Sequence, residues 1–255
     1  RPQSRYDNPV KSALKNGQIV YGGFLMAPSP ENAERLAAKT HFLWIDAEHG
    51  VFTPESVINI ISRFHMTTPA IPVIRIPSWD FTGLKPLLDT GVLGVVVPKV
   101  KTAAQVKDFI RRVKYPPLGD RGFGPARSTG YLDPELSKEA IEKANDQVLV
   151  VIMIETPEAI ANIEEIASMP GIDVLHIGPY DLALKMGRLA MNDQRVLDAV
   201  AKVEAVAKAH NIPLGAPVGS RAVAQEKLKK GYQFLTIPSD QEMIMSGLDR
   251  FMNPK

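Results

Sequence analysis

Two stretches of this chain end in the same way. Val148-Leu-Val-Val-Ile-Met-Ile runs into Glu155, and Ile172-Asp-Val-Leu-His-Ile-Gly-Pro-Tyr runs into Asp181. A near-continuous apolar run too short for a helix reads as a strand buried on both faces. Such strands belong to parallel sheets covered by helices, so this feature restricts the chain to an α/β architecture. Each run is followed at once by a helix start: Thr156 caps and Pro157 takes the first helical position, while Gly178-Pro179 opens the next helix. Glu155 and Asp181 are thereby expected at one rim of a sheet. Either acid could serve only as a cap for the helix behind it, but Asp46, Glu48, His49 and Arg75 stand in the same relation to other strands, which favours a shared site.

The pattern repeats along the chain. Apolar runs at 19–26, 42–46, 71–76, 94–98, 214–218 and 234–238 add six strands to the two above. Between them lie helical signals. Ser29-Pro30 and Thr53-Pro54 are caps followed by proline, and Val57, Ile58, Ile61 and Phe64 keep the spacing of a helix facing a core. Asp80 is expected to cap a helix that stops at Gly91, and Thr102 with Gln105 forms a capping box. Residues 118–133, rich in glycine, read as a long functional loop before a short helix to about Asn145. Eight βα units predict parallel strands with right-handed crossovers closing as a (β/α)₈ TIM barrel over residues 1–255, a single domain. An open doubly wound sheet is disfavoured, because no Gly-x-Gly-x-x-Gly turn follows the first strand.

Composition removes several classes of function. The 255 residues carry 30 basic and 28 acidic side chains, with no interleaving of cations and aromatics, so nucleic acid is not expected as a partner. No cysteine is present, which excludes thiolate metal sites and disulfides. No run reaches the roughly 18 apolar residues of a membrane span, so the expected setting is cytoplasmic, without a membrane partner.

In such barrels the chemistry sits on the C-terminal rim. His49 has Asp46 three residues away, close enough to orient an imidazole and raise its basicity; the other histidines are read as structural. Glu155 and Asp181 suit a hard cation with oxygen ligands, Mg²⁺, Mn²⁺ or Co²⁺, whose shell a small 2-oxo acid would complete. Arg75 is a fixed cation suited to a carboxylate or an enolate oxygen, or else to a structural ion pair with a rim acid. Lys99, also at a strand end, leaves open a Schiff-base mechanism.

Five motifs then resemble the HpcH/HpaI class II pyruvate aldolases. They are Phe42-Leu-Trp-Ile-Asp-Ala-Glu-His-Gly50, Ile74-Arg-Ile-Pro-Ser-Trp-Asp80, Tyr115-Pro-Pro-Leu-Gly-Asp-Arg-Gly-Phe-Gly124, Ile152-Met-Ile-Glu-Thr156 and Ile177-Gly-Pro-Tyr-Asp-Leu182, in order over nearly the whole chain. The resemblance implies a metal-dependent barrel, commonly a hexamer, that cleaves 4-hydroxy-2-oxo acids to pyruvate and an aldehyde. It implies Glu155 and Asp181 as metal ligands, His49 with Asp46 as the base, Arg75 as holder of the oxyanion, and the backbone at Gly178-Pro179 as receiver of the pyruvate carboxylate. Asp89 and Arg121 match positions that reach a site across a subunit interface. Two departures alter the pocket: Met153 replaces a glutamine that contacts the oxo acid, and Tyr180 replaces a small residue on the aldehyde side. Oxaloacetate decarboxylation through the same enolate is an alternative activity, and a barrel that binds metabolites without catalysis is a second one.

Overall fold

A computed structural model of the protein describes residues 6–64, 70–188 and 190–253. Strands β1 (Val20–Leu25), β2 (Phe42–Asp46), β3 (Ile71–Arg75), β4 (Gly94–Val97), β5 (Leu149–Ile154), β6 (Val174–Ile177), β7 (Leu214–Pro217) and β8 (Tyr232–Ser239) close into one barrel in sequence order. All eight neighbouring pairs are parallel, including β1 with β8. The (β/α)₈ expectation therefore holds, and the alternation of short apolar runs with capped helical segments explains it.

Helices α2 (Pro30–Ala37), α3 (Pro54–Phe64) and α5 (Ala103–Val113) follow the strands as read from the sequence. Ser29 caps α2 through Asn32 N–H, and the Thr102–Gln105 capping box starts α5. Two local expectations fail. Asp80 caps nothing: α4 (Leu84–Asp89) begins behind Gly83 without a side-chain cap. The segment before it turns instead through a Phe81 N–H bond to Ser78 O, which lets Phe81 pack against the core. The long glycine-rich segment ends in a 3-10 turn at Arg127–Leu132, and α6 (Pro134–Gln147) spans 14 residues, a full helix capped by Asp133.

The inside of the barrel is filled by layers of apolar side chains. Phe42 stacks on Phe234 with ring centroids 4.2 Å apart, and Trp44, Val73, Val96, Val151 and Met153 continue the same cluster. Each such burial contributes about 1.5–3 kcal/mol of transfer free energy. Val10 and Leu14 join this cluster from α1 (Pro9–Lys15), a helix the sequence reading did not foresee. Asn8 caps it, and the Asn8 amide donates to the carbonyls of Leu93 and Gln147, which tethers the helix to the starts of β4 and β5. With the N-terminal end of the barrel closed, the C-terminal rim is left for ligands.

Candidate active site

Register places the first pair. Asp46 and Arg75 are Cα partners at the ends of β2 and β3, so their side chains emerge side by side. Arg75 Nε and NH2 donate to Asp46 Oδ1 and Oδ2 at 2.7 and 2.6 Å, a bidentate pair buried at both partners. The guanidinium lies over the rings of Phe24 and Trp44, 5.8 and 5.6 Å from their centroids. Burial works against its charge, but the Asp46 hydrogen bonds and the neighbouring acids outweigh it and raise the Arg75 pKa. The third nitrogen, NH1, faces Glu48 Oε2 at 3.2 Å and Met153 Sδ at 3.7 Å.

This pairing corrects the expected Asp46–His49 couple. Asp46 is committed to Arg75 and to the Glu48 amide. The His49 ring, with 52% of its side chain exposed, has Glu48 Oε2 as its acidic neighbour at 3.8 Å. Glu48, between Asp46 and His49 in the chain, is the acid closest to both His49 and Lys99. Its side chain is 4% exposed and stands among Arg75, His49 and Lys99, whose Nζ lies 2.7 Å from Oε1. Both Glu48 oxygens therefore face cations. Its visible signal was the density of acid and imidazole in Asp46-Ala-Glu-His49 directly after a strand.

Glu155 follows β5 and is fully buried. Burial pushes its pKa up; the Lys99 N–H, which donates to Oε1 at 2.7 Å, works the other way, and the Glu48 and Asp181 charges raise it further. Lys99 adopts φ +54°, a left-handed conformation uncommon outside glycine, in the turn that presents this amide. Gly178 is required next to it: a Cβ there would fall 2.6 Å from Glu155 Oε2. Gly178-Pro179 starts α9 (Pro179–Lys185) as expected, and Asp181 stands in its first turn, 3.5 Å from Lys185 Nζ.

Arg75, Met153, Glu155, Gly178, Pro179, Tyr180 and Asp181 all line one cleft of about 410 Å³. Asp46 supports it from beneath Arg75, and Glu48 joins it to His49. Asp89 and Arg121 lie elsewhere. They pair with each other at 3.5 Å where α4 leads into β4, the end of the barrel away from Glu155, beside a separate cleft lined by Tyr115, Arg121 and Ser128. Two residues read as structural or unassigned, His176 and Trp44, also line the acid-bearing cleft.

The donor set fits a hard divalent cation. Burial and the Glu48 and Asp181 charges disfavour the ionised form of Glu155, and a bound cation would relieve that cost. Among the described residues no three His, Cys, Asp or Glu side chains are grouped to hold a metal; Glu155 and Asp181, which line the same cleft, are the two acids that would hold one. The Lys99 ammonium, raised in pKa first by Glu48, stays charged and is a poor Schiff-base nucleophile. Among the described residues no helix is long and apolar enough to cross a membrane.

Comparison with known proteins identifies the family. The HpcH/HpaI aldolase/citrate lyase family profile matches residues 21–246. A 4-hydroxy-2-oxovalerate aldolase of Novosphingobium aromaticivorans is 34% identical over 252 residues, covering 96% of this chain and 89% of the relative. The crystal structure of an HpcH/HpaI aldolase/citrate lyase family protein from Burkholderia cenocepacia superposes with a TM-score of 0.90 at 28% identity, over 96% of this chain and 98% of that one. Macrophomate synthase superposes with a TM-score of 0.80 at 26% identity, over 95% of this chain and 85% of that one. The chain therefore belongs to the HpcH/HpaI aldolase/citrate lyase family and is an enzyme of the aldolase and lyase type.

Proposed function

We infer that the protein is a divalent-metal-dependent carbon–carbon lyase that cleaves 4-hydroxy-2-oxo acids to pyruvate and an aldehyde through a pyruvate enolate. The observation that carries this reading is the convergence of Glu155, Asp181 and Arg75 on one cleft, two acids and a fixed guanidinium at the C-terminal rim. Glu155 and Asp181 would hold Mg²⁺, Mn²⁺ or Co²⁺. When bound, such an ion polarises the oxo acid's carbonyl and stabilises the enolate by several kcal/mol.

The chain's own residues divide the rest of the work. Gly178 and Pro179 bring the start of α9 to the oxo acid's carboxylate. His49, exposed on the rim, accepts the proton of the C4 hydroxyl. The C3–C4 bond then breaks, the aldehyde leaves, and the electron pair passes to the C2 oxygen. Arg75, with Nε and NH2 fixed by Asp46, presents NH1 to that oxygen. Met153 and Tyr180 shape the pocket walls. Asp89 and Arg121, distant from their own chain's Glu155, would serve the site of a neighbouring subunit in a homo-oligomer, a hexamer in the cytoplasm.

Chelation tests the reading. EDTA should abolish pyruvate release from 4-hydroxy-2-oxo acids and Mg²⁺, Mn²⁺ or Co²⁺ should restore it; full activity after exhaustive chelation would end it. Running oxaloacetate in the same assay separates aldol cleavage from decarboxylation. Bound metal and pyruvate without exchange of the pyruvate methyl protons would favour a non-catalytic barrel.

A further inference from the structure

The acid-bearing cleft is larger than a small oxo acid fills. At about 410 Å³ it falls in the range that buries a drug-sized ligand, so pyruvate with a two-carbon aldehyde occupies only part of it. Its remaining walls come from the start of α9, from α11 (Arg221–Lys229) and from the end of β8. Those walls are carbon. Tyr180, Met191 and Val223 stand exposed from three separate segments, and Ile237 and Pro238 line the same space. Exposed apolar side chains gathered in a groove mark a place where a ligand is bound. A phenol ring and a thioether both favour contact with a flat π system.

The charges on this side point the same way. Beyond Arg75, Glu155 and Asp181, the described lining residues carry two charges, Lys227 and Glu242. The Lys227 ammonium sits over the Tyr232 ring, 4.5 Å from its centroid, and donates to the Tyr232 hydroxyl at 3.5 Å. That hydroxyl donates in turn to Glu204 at 2.8 Å. The Glu242 carboxylate accepts from the Ser239 N–H at 2.7 Å, in the box that caps α12 (Asp240–Met252). The Asp89–Arg121 pair, which a neighbouring subunit would bring, is neutral as a pair. An acid group on the far end of the aldehyde would therefore meet a fixed carboxylate and a cation already engaged.

We propose that these walls form the aldehyde subsite and select an uncharged aldehyde of aromatic-ring size, so that the preferred substrates are 4-aryl-4-hydroxy-2-oxo acids. The proposal rests on the lyase reading above. The oxo acid keeps its places beside Gly178, Glu155, Asp181 and Arg75, and the C4 substituent extends over Tyr180, Met191 and Val223. These three are then specificity residues, touching the departing aldehyde and not the reacting oxygens.

The test compares pyruvate release from 4-hydroxy-2-oxo-4-phenylbutanoate, 4-hydroxy-2-oxopentanoate and 4-hydroxy-2-oxoheptanedioate by the full chain supplied with Mn²⁺. The wild-type kcat/KM is expected to be highest for the phenyl substrate, by about tenfold or more, the scale of burying one ring. Tyr180→Ala, checked for folding by circular dichroism, should shrink that margin. Val223→Arg sets a cation in the apolar wall and should raise kcat/KM for the heptanedioate above the wild-type value, a gain that misfolding cannot produce. Equal or lower wild-type activity on the phenyl substrate, an unchanged margin in folded Tyr180→Ala, or no gain in Val223→Arg would overturn the proposal while leaving the lyase reading intact. Failure to release pyruvate from any of the three would also overturn it, and absence of exchange at the pyruvate methyl in addition would overturn the lyase reading.

Discussion

Asp46 and Arg75 meet through two parallel hydrogen bonds at 2.7 and 2.6 Å, each partner almost entirely out of solvent. Removing one member of such a pair strands the other charge in the barrel, at a cost of about 3–5 kcal/mol. Asp46→Asn is therefore expected to destabilise the metal-free protein by that order in urea denaturation. It should also lower kcat, because Arg75 loses the two contacts that aim NH1 into the cleft. A loss below about 1 kcal/mol would mean that Glu48 and the flanking rings hold Arg75 without Asp46.

His49 is exposed where Glu155 is buried, which separates their roles. His49→Ala should reduce aldol turnover by about 10²–10⁴, the usual scale for loss of a general base. Metal affinity measured by calorimetry should stay near the wild-type value, since the proposed ligands are Glu155 and Asp181. Equal loss of metal would make His49 a ligand.

The barrel was legible because each strand is a short apolar run closed by a polar residue and a helix start, a pattern written locally in the chain. The cleft's proposed ligand pair, Glu155 and Asp181, shares that signature. The partner of His49 was not legible. Asp46 is close in sequence, but strand register hands it to Arg75, 29 residues on, and register is a property of the closed sheet. α1 was missed for a similar reason: Pro9-Val-Lys-Ser-Ala-Leu-Lys15 has few apolar positions, and its stability comes from plugging a barrel end that other segments build. His176 lies in a strand buried on both faces, so only barrel closure shows that it faces the cleft.

Lys99 divides two mechanisms available to this fold. Its ammonium sits 2.7 Å from Glu48 Oε1, and its pKa is raised by that contact, so the neutral amine that would attack a carbonyl is scarce. Borohydride added together with pyruvate should leave the mass of the Lys99 peptide unchanged. A reduced adduct on Lys99 would move the chemistry to an imine and leave Glu155 and Asp181 without their proposed task.

His176 makes a prediction about acid stability. Its pKa is about 3 in the folded protein against an ordinary 6.5, because burial disfavours the charged ring. The unfolded chain therefore binds a proton that the folded chain refuses between those two values, and the folded state loses stability as pH falls through that window. Above pH 6.5 the contribution is fully present; near pH 4.5 it has shrunk by about 2–3 kcal/mol, at 1.36 kcal/mol per unit. His176→Phe takes this proton out of the balance and keeps a ring against Trp44 and Phe234. Urea midpoints measured at pH 7 and pH 4.5 should then show a smaller acid-induced drop for His176→Phe than for the wild type. Equal drops would mean that His176 already takes up a proton in the folded barrel.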